Sequence, residues 1–209
     1  MRAVQLTHLG HACLLVETDV RLLIDPGTMS DFAALTELDA VLVTHQHRDH
    51  VDAARVAALL TANPGARLIV DPDSAGSLDG LPTAEVARPG ERLTFGRTTV
   101  DVHGGLHAAV YGPIPGCTNN AYLVDDGAFF HPGDSFALPP GEVDVLAVAI
   151  DGPWLKIAEA VDYVRAARPR VAVPMHEGET ADPAKYAGML GAFSEIPTHR
   201  LTAGEPTAL

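Results

Sequence analysis

One pattern, stated twice, constrains this chain more than any single residue. Asp39-Ala40-Val41-Leu42-Val43 finds a counterpart in Asp144-Val145-Leu146-Ala147-Val148. Upstream, Leu15-Val16-Glu17 leads to Asp25-Pro26-Gly27, and Leu123-Val124-Asp125 leads to His131-Pro132-Gly133. Downstream, Pro64-Gly65-Ala66-Arg67-Leu68-Ile69-Val70 is matched in pattern by Ala167-Arg168-Pro169-Arg170-Val171-Ala172-Val173. Each match is short, but three in the same order describe a duplicated unit. Two ββ-αβ halves of this kind bury their apolar faces by packing sheet on sheet with helices outside. The expected fold class is α/β: an αββα sandwich of two mixed sheets with flanking helices, one domain over residues 1–209. Side chains from both halves then meet where the edges of the sheets face each other.

The local pattern fills in that frame. Strands are expected near 3–8, 12–18 and 21–25, followed by a loop and a short helix near 30–37. A strand at 40–44 precedes a helix over about 51–62, which Asn63-Pro64-Gly65 stops. Further strands fall near 67–71, 84–87, 91–95 and 97–103, then at 119–125, 127–131 and 144–150. Pro153 is expected to open a helix with an apolar stripe of Trp154, Ile157, Val161 and Val164. A strand at 170–174 and a helix from Pro183 to about Phe193 complete the domain, and the last few residues read as disordered.

The first copy of the repeated strand runs directly into Thr44-His45-Gln46-His47-Arg48-Asp49-His50. Ala40–Val43 is continuously apolar, as a strand buried on both faces is. Three imidazoles and a carboxylate follow within six residues, where the turning backbone lets alternate side chains converge. Imidazole nitrogen and carboxylate oxygen are ligands for zinc, manganese and iron. Burying so many polar groups without a cation costs roughly several kcal/mol.

This spacing resembles the first metal motif of the metallo-β-lactamase superfamily, His-x-His-x-Asp-His, and the later motifs follow in the expected order. They are His107 in Gly-Gly-Leu-His-Ala, Asp134 in His-Pro-Gly-Asp-Ser and His176 in Val-Pro-Met-His-Glu, and the resemblance spans roughly residues 4 to 202. It implies two divalent metal ions, zinc first among them with manganese and iron as alternatives. One would be held by His45, His47 and His107, the other by Asp49, His50 and His176, with Asp134 bridging. The implied reaction is hydrolysis in which a metal-bridging hydroxide attacks a small lactone, ester or phosphoester, with Asp49 and Asp134 as the catalytic carboxylates. His103, alternating with Val100 and Val102, reads as a strand residue and is the alternative to His107. His11, in Leu-Gly-His-Ala, is either beside the site or a structural hydrogen-bonder; His131 is either a packed core residue or a partner of a ligand. His8 and His199 read as solvated or strand-end residues, and Asp25 as a residue that orients a ligand or a turn. The Gly-His-Ala, Leu-His-Ala and His-Pro-Gly-Asp-Ser segments resemble the branch with ascorbate-6-phosphate lactonase and acyl-phosphatidylethanolamine phospholipase D. Ala108–Asn119 and Asp151-Gly152-Pro153-Trp154 are the expected walls of a substrate pocket.

Composition narrows the partners. The formal charge is −13, and lysine occurs only at positions 156 and 185. A protein that grips a phosphate polymer needs clustered cations, so nucleic acid and anionic membranes are disfavoured against a small-molecule substrate. A phosphodiesterase or nuclease of the ribonuclease Z type is the runner-up, and a non-catalytic metal-binding protein the third reading. Cys13 and Cys117 are expected as free thiols, Cys13 as a small core residue and Cys117 in a loop near the site. The lack of a leader-like or span-length apolar segment makes the cytoplasm the default location.

Overall fold

The computed structural model describes residues 3–78, 81, 84–112, 114 and 116–209. The first sheet contains β1 (Gln5–His8), β2 (Leu14–Glu17), β3 (Arg21–Ile24), β4 (Ala40–Leu42), β5 (Arg67–Val70) and β6 (Glu85–Val86). The second contains β7 (Arg92–Phe95), β8 (Thr98–Leu106), β9 (Thr118–Val124), β10 (Phe129–His131), β11 (Val145–Ala149) and β12 (Val171–Met175). A last strand, β13 (Thr207–Ala208), joins the first sheet beside β1. The helices are α1 (Ala53–Ala62), α2 (Pro72–Ser77), α3 (Ile157–Ala167) and α4 (Pro183–Ser194).

The spatial order is β13-β1-β2-β3-β4-β5-β6 in one sheet and β12-β11-β10-β9-β8-β7 in the other. Both sheets are mixed, and the duplicated unit is visible in their pairing. β2–β3 is antiparallel while β3–β4 and β4–β5 are parallel; β9–β10 is antiparallel while β10–β11 and β11–β12 are parallel. α1 and α3 are the matching crossovers. Residues of one parity, such as Leu22, Ile24 and Leu42 from one sheet and Tyr122, Phe129 and Val173 from the other, fill the space between the sheets. The opposite parity packs outward: Val41 and Leu23 lie beneath Val56 and Leu59 of α1, and Leu146 and Val148 beneath Val161 and Val164 of α3. This is the four-layered αββα sandwich, and apolar burial on both faces of each sheet is what the near-continuous apolar strands require.

Because β3, β4, β8, β10, β11 and β12 run the same way, their carboxyl ends share one rim. Ligands of open α/β sheets bind outside carboxyl ends, where chain leaves the ladder with its side chains unpaired. Asp25, His45, His107, Asp134 and His176 all follow the last residues of such strands.

Three local expectations are corrected. Residues 30–37 form turns without a helix. Backbone groups of this segment and of Leu38 beside it are taken by α1 and its C-cap instead: Asn63 Nδ2 donates to Leu35 O (2.9 Å), Asn63 Oδ1 accepts from Leu38 N (3.1 Å), and Arg55 donates to Ser30 O (2.8 Å). Trp154 lies outside the expected helix, because α3 begins only at Ile157, where Glu159 folds back to accept from Lys156 N (2.7 Å). The C-terminal residues are ordered: Thr207–Ala208 pairs antiparallel with β1, and Leu209 N donates to Val4 O (3.0 Å). α2 is an addition, capped by Asp71 with Pro72 in its first turn. No helix among the described residues is long and apolar enough to cross a membrane.

Candidate metal centre

The histidine-rich heptad leaves β4 and folds at once into a tight turn. His50 N and Val51 N both donate to His47 O, at 3.0 and 2.9 Å, and Asp52 then caps α1. The turn is pressed against the Asp25–Gly27 loop, where a Cβ on Gly27 would stand 1.7 Å from Asp49 O. Only glycine permits that approach.

Asp25 holds the heptad from behind. It is fully buried, accepts from Thr44 N at 2.8 Å and from Thr44 Oγ1 at 2.7 Å, and accepts from His50 Nδ1 at 2.7 Å. Thr44 Oγ1, its proton given to Asp25, accepts from His45 Nδ1 at 3.0 Å. His107 Nδ1 donates to Ala108 O at 2.6 Å. In all three rings the Nδ1 proton is fixed outward, which turns Nε2 toward the common space.

The facing sheet contributes Asp134 and His176. Asp134 is buried, and its backbone N donates to Asn119 Oδ1 at 3.0 Å. Gly133, at φ +61°, makes this turn; a Cβ there would meet Asn119 Oδ1 at 2.4 Å and Thr44 Cβ at 2.8 Å. The Asp134 carboxylate stands between two groups of donors. His107 Nε2 lies 3.4 Å and His45 Nε2 3.9 Å from Oδ2, while His50 Nε2 is 3.2 Å from Oδ1. His176 Nε2 lies 3.1 Å from Asp134 Oδ2 and 3.5 Å from Asp49 Oδ2. His45, His47, His107 and Asp134 thus form one group, and His11, Asp49, His50 and His176 a second, each with its donor atoms within 4.8 Å of one another.

Burial and neighbouring charges compete at these groups. Burial opposes charge on His50, but Asp134 and Asp25 beside it outweigh burial and hold its pKa well above the ordinary value. Burial also opposes charge on His176, yet Asp134 and Asp49 raise it to about 9. For Asp134 burial pulls upward, and His50, His107 and His176 overcome it, holding the carboxyl well below the usual range. His45 goes the other way: burial and the neighbouring His50 depress it well below the ordinary histidine value. The carboxylates thus favour positive charge on His50 and His176, and those rings favour negative charge on Asp134.

The donor set also fits cations. His50 Nε2, His107 Nε2, His176 Nε2 and Asp134 Oδ1 are buried and make no hydrogen bond, despite their mutual proximity. Orphaned polar atoms are rare in native proteins, and so many directed at one space mark a place for an ion.

All seven expected ligands, His45, His47, Asp49, His50, His107, Asp134 and His176, are gathered here. His103 is not; its ring lies 6.4 Å from Phe130, and β8 runs on to Leu106 before the chain turns into His107. His131 is buried below the rim, with Nδ1 accepting from Gly133 N (3.2 Å) and Nε2 donating to Ala12 O (3.1 Å). His8 ends β1, buried, and donates to His11 O at 2.9 Å, while His199 is exposed. Cys13 packs beneath α1, and the Cys117 thiol, pushed up to about 11 by burial and then by Asp71, stays outside both groups.

Trp154 stands outside the helical stripe but in the pocket wall expected of Asp151-Gly152-Pro153-Trp154. Its Nε1 donates to Asp134 Oδ2 at 3.0 Å, and its ring forms a wall of the cleft over the site. That cleft, of about 440 Å³, is also lined by Met29, Val110 and Pro153 on its apolar side and by Arg48 and Glu179 on its polar side. The Ala108–Asn119 segment reaches it through Val110; Pro113 and Pro115 lie outside the described residues.

Comparison with known proteins places this arrangement. Residues 5–176 match the model of a family described as a β-lactamase superfamily domain, and the chain belongs to the metallo-β-lactamase superfamily. It is 46% identical over 194 residues to Protein Rv0786c of Mycobacterium tuberculosis, covering 89% of this chain and 91% of that protein. It is 26% identical over 222 residues to the UPF0173 metal-dependent hydrolase PH1671 of Pyrococcus horikoshii, covering 92% and 95% respectively. In fold it resembles Igni18, a metallo hydrolase of Ignicoccus hospitalis, with a TM-score of 0.76 and 21% identity over 99% of this chain and 98% of that one.

Proposed function

We propose that this protein is a metal-dependent hydrolase of a small lactone, ester or phosphoester, with two divalent cations, zinc foremost, in its rim. One observation carries the reading: buried, unbonded donor atoms of His50, His107, His176 and Asp134 converge on one space beneath an open cleft. The similarity to the metal-dependent hydrolase of Pyrococcus horikoshii supports the same reaction class.

His45, His47 and His107 would hold one cation and Asp49, His50 and His176 the other, with Asp134 between them. When bound, such ions act as Lewis acids on a carbonyl or phosphoryl oxygen and bring the pKa of water near neutrality. The chain's own residues do the rest. Asp25, through Thr44 and His50, keeps two imidazoles in the tautomer that ligates. Trp154 donates to Asp134 Oδ2, fixing the carboxylate while its ring shields that side from solvent. Met29, Val110, Pro153 and Trp154 receive the less polar part of a substrate, and Arg48, exposed beside the cleft, can meet a pendant anionic group. A cleft of about 440 Å³ suits a small molecule, and the −13 charge opposes a nucleic-acid track.

The test is metal analysis of the purified chain together with turnover on lactones, esters and phosphodiesters. Two equivalents of metal and metal-dependent turnover of a small substrate are expected. Metal bound without turnover of any of these classes would favour the non-catalytic reading. Steeply salt-dependent binding and cleavage of RNA would favour a nuclease.

A further inference from the structure

Distance alone makes His11 a ligand, since its donor atom lies among those of Asp49, His50 and His176. Hydrogen-bond chemistry says otherwise. The backbone N of Gly178 donates to His11 Nδ1 at 3.1 Å. A peptide N–H can only donate, so Nδ1 must carry its lone pair and the ring proton sits on Nε2. Nε2 faces Asp49 Oδ2 at 3.0 Å and donates to it. A nitrogen that keeps its proton for a carboxylate has no lone pair for a cation.

From this we infer that His11 is a positioning residue that withholds itself from the metal centre and fixes Asp49, the acidic ligand of the second group. The inference rests on the metal-binding reading above. The surroundings are built for that task. His11 is 1% exposed and sits at φ +53°, a left-handed conformation uncommon for a side-chain-bearing residue. Its carbonyl accepts from His176 N at 2.8 Å and from His8 Nε2 at 2.9 Å. Its ring lies 3.8 Å from that of His176, centroid to centroid. The next carbonyl, Ala12 O, is held by His131 Nε2 at 3.1 Å. Gly178 also leaves room for the ring, because a Cβ there would stand 2.9 Å from His11 Nδ1. One turn from the first half of the chain thus grips Asp49 by its side chain and His176 by its backbone, joining ligands from the two halves. Asp49 needs such a grip because it is the less buried of the two carboxylates at the centre.

The decisive experiment uses the full chain with isotope-labelled histidine, loaded with the spin-half isotope of cadmium, and reads cadmium–imidazole couplings by NMR. Couplings are expected from His45, His47, His50, His107 and His176, with none from His11, whose spectrum shows the Nε2–H tautomer. A coupling to His11 would overturn the inference while leaving the metal centre intact. Absence of coupling to every histidine would overturn the metal-binding reading and the inference with it. In a parallel titration, His11→Ala should weaken the second cadmium by about 10- to 100-fold and leave the first in place. His11→Gln, whose amide can donate from the place of Nε2, should recover most of that loss. Equal cadmium affinity in wild type and His11→Ala would contradict the assignment.

Discussion

The loop after β3 and the loop after β10 occupy matching places in the two halves of the sandwich, and each contains a Pro-Gly turn beside an aspartate. In the first, Asp25 precedes the turn and faces inward, bonded to Thr44 and His50. In the second, Asp134 follows the turn and faces the cleft, with one oxygen making no hydrogen bond. The loops after β4 and β11 diverge further. The first carries His45, His47, Asp49 and His50, whereas the second carries Asp151-Gly152-Pro153-Trp154 and supplies a wall and one indole donor. A duplicated scaffold brings two rims face to face, and its strands stay alike because packing sets their chemistry. Its loops are free to differ because the ladder does not use their side chains. The donors are therefore divided unevenly: four come from one loop of the first half, and the facing sheet supplies His107, Asp134 and His176.

Exchanging the matched carboxylates breaks the comparison most sharply. Asp134→Asn should abolish retention of both metals and all metal-dependent hydrolysis, measured by elemental analysis after dialysis and by turnover. Asp25→Asn, which alters only the residue behind the ligands, should lower metal affinity by about 10- to 100-fold and leave the bound stoichiometry at two under saturating metal. Equal losses in both variants would mean that the two loops are not functionally distinct.

A pH series comes next in size. Below about 9, His176 holds a proton that a ligating ring must release, and His50 is likewise held above its ordinary value. Metal affinity should therefore rise with pH, by up to about tenfold per pH unit for each proton released, and the slope should lessen as pH passes the His176 value. Calorimetry in buffers of differing ionisation enthalpy counts those protons; zero release at pH 7 would contradict the charge pattern. The smallest effect is expected in the second half: Trp154→Phe keeps the wall but removes one hydrogen bond to a carboxylate. Its kcat/KM should fall roughly tenfold, consistent with a charge-assisted bond of about 1.5 kcal/mol, with both metals retained.

What the sequence made legible follows the same division. Ala40–Val43 and its repeat could be read because apolar runs buried on both faces leave a continuous signal, and the heptad because its four donors are adjacent. His107 could be told from His103 by its place before Ala108 and a Pro-rich loop, as the resemblance implies, whereas His103 alternates with Val100 and Val102 inside a strand. Residues 30–37 misled because their backbone partners, Arg55 of α1 and Asn63 at its C-terminal cap, are distant in sequence. Trp154 misled because its spacing from Ile157 and Val161 mimics a helical stripe, while its indole N–H is claimed by Asp134. The C-terminal residues carry little apolar pattern of their own, and pairing with the exposed edge of β1 orders them. His11 resembles any buried histidine until Gly178, contributed by the far end of the chain, fixes its proton.

The central claim is that two metals share Asp134 across the facing rims. Crystals of the metal-loaded protein, measured at the absorption edge of the bound metal, test it directly. The account predicts two anomalous peaks on either side of the Asp134 carboxylate, one beside His45, His47 and His107, the other beside Asp49, His50 and His176. A single peak at full metal saturation, or a second peak away from Asp134, would contradict it.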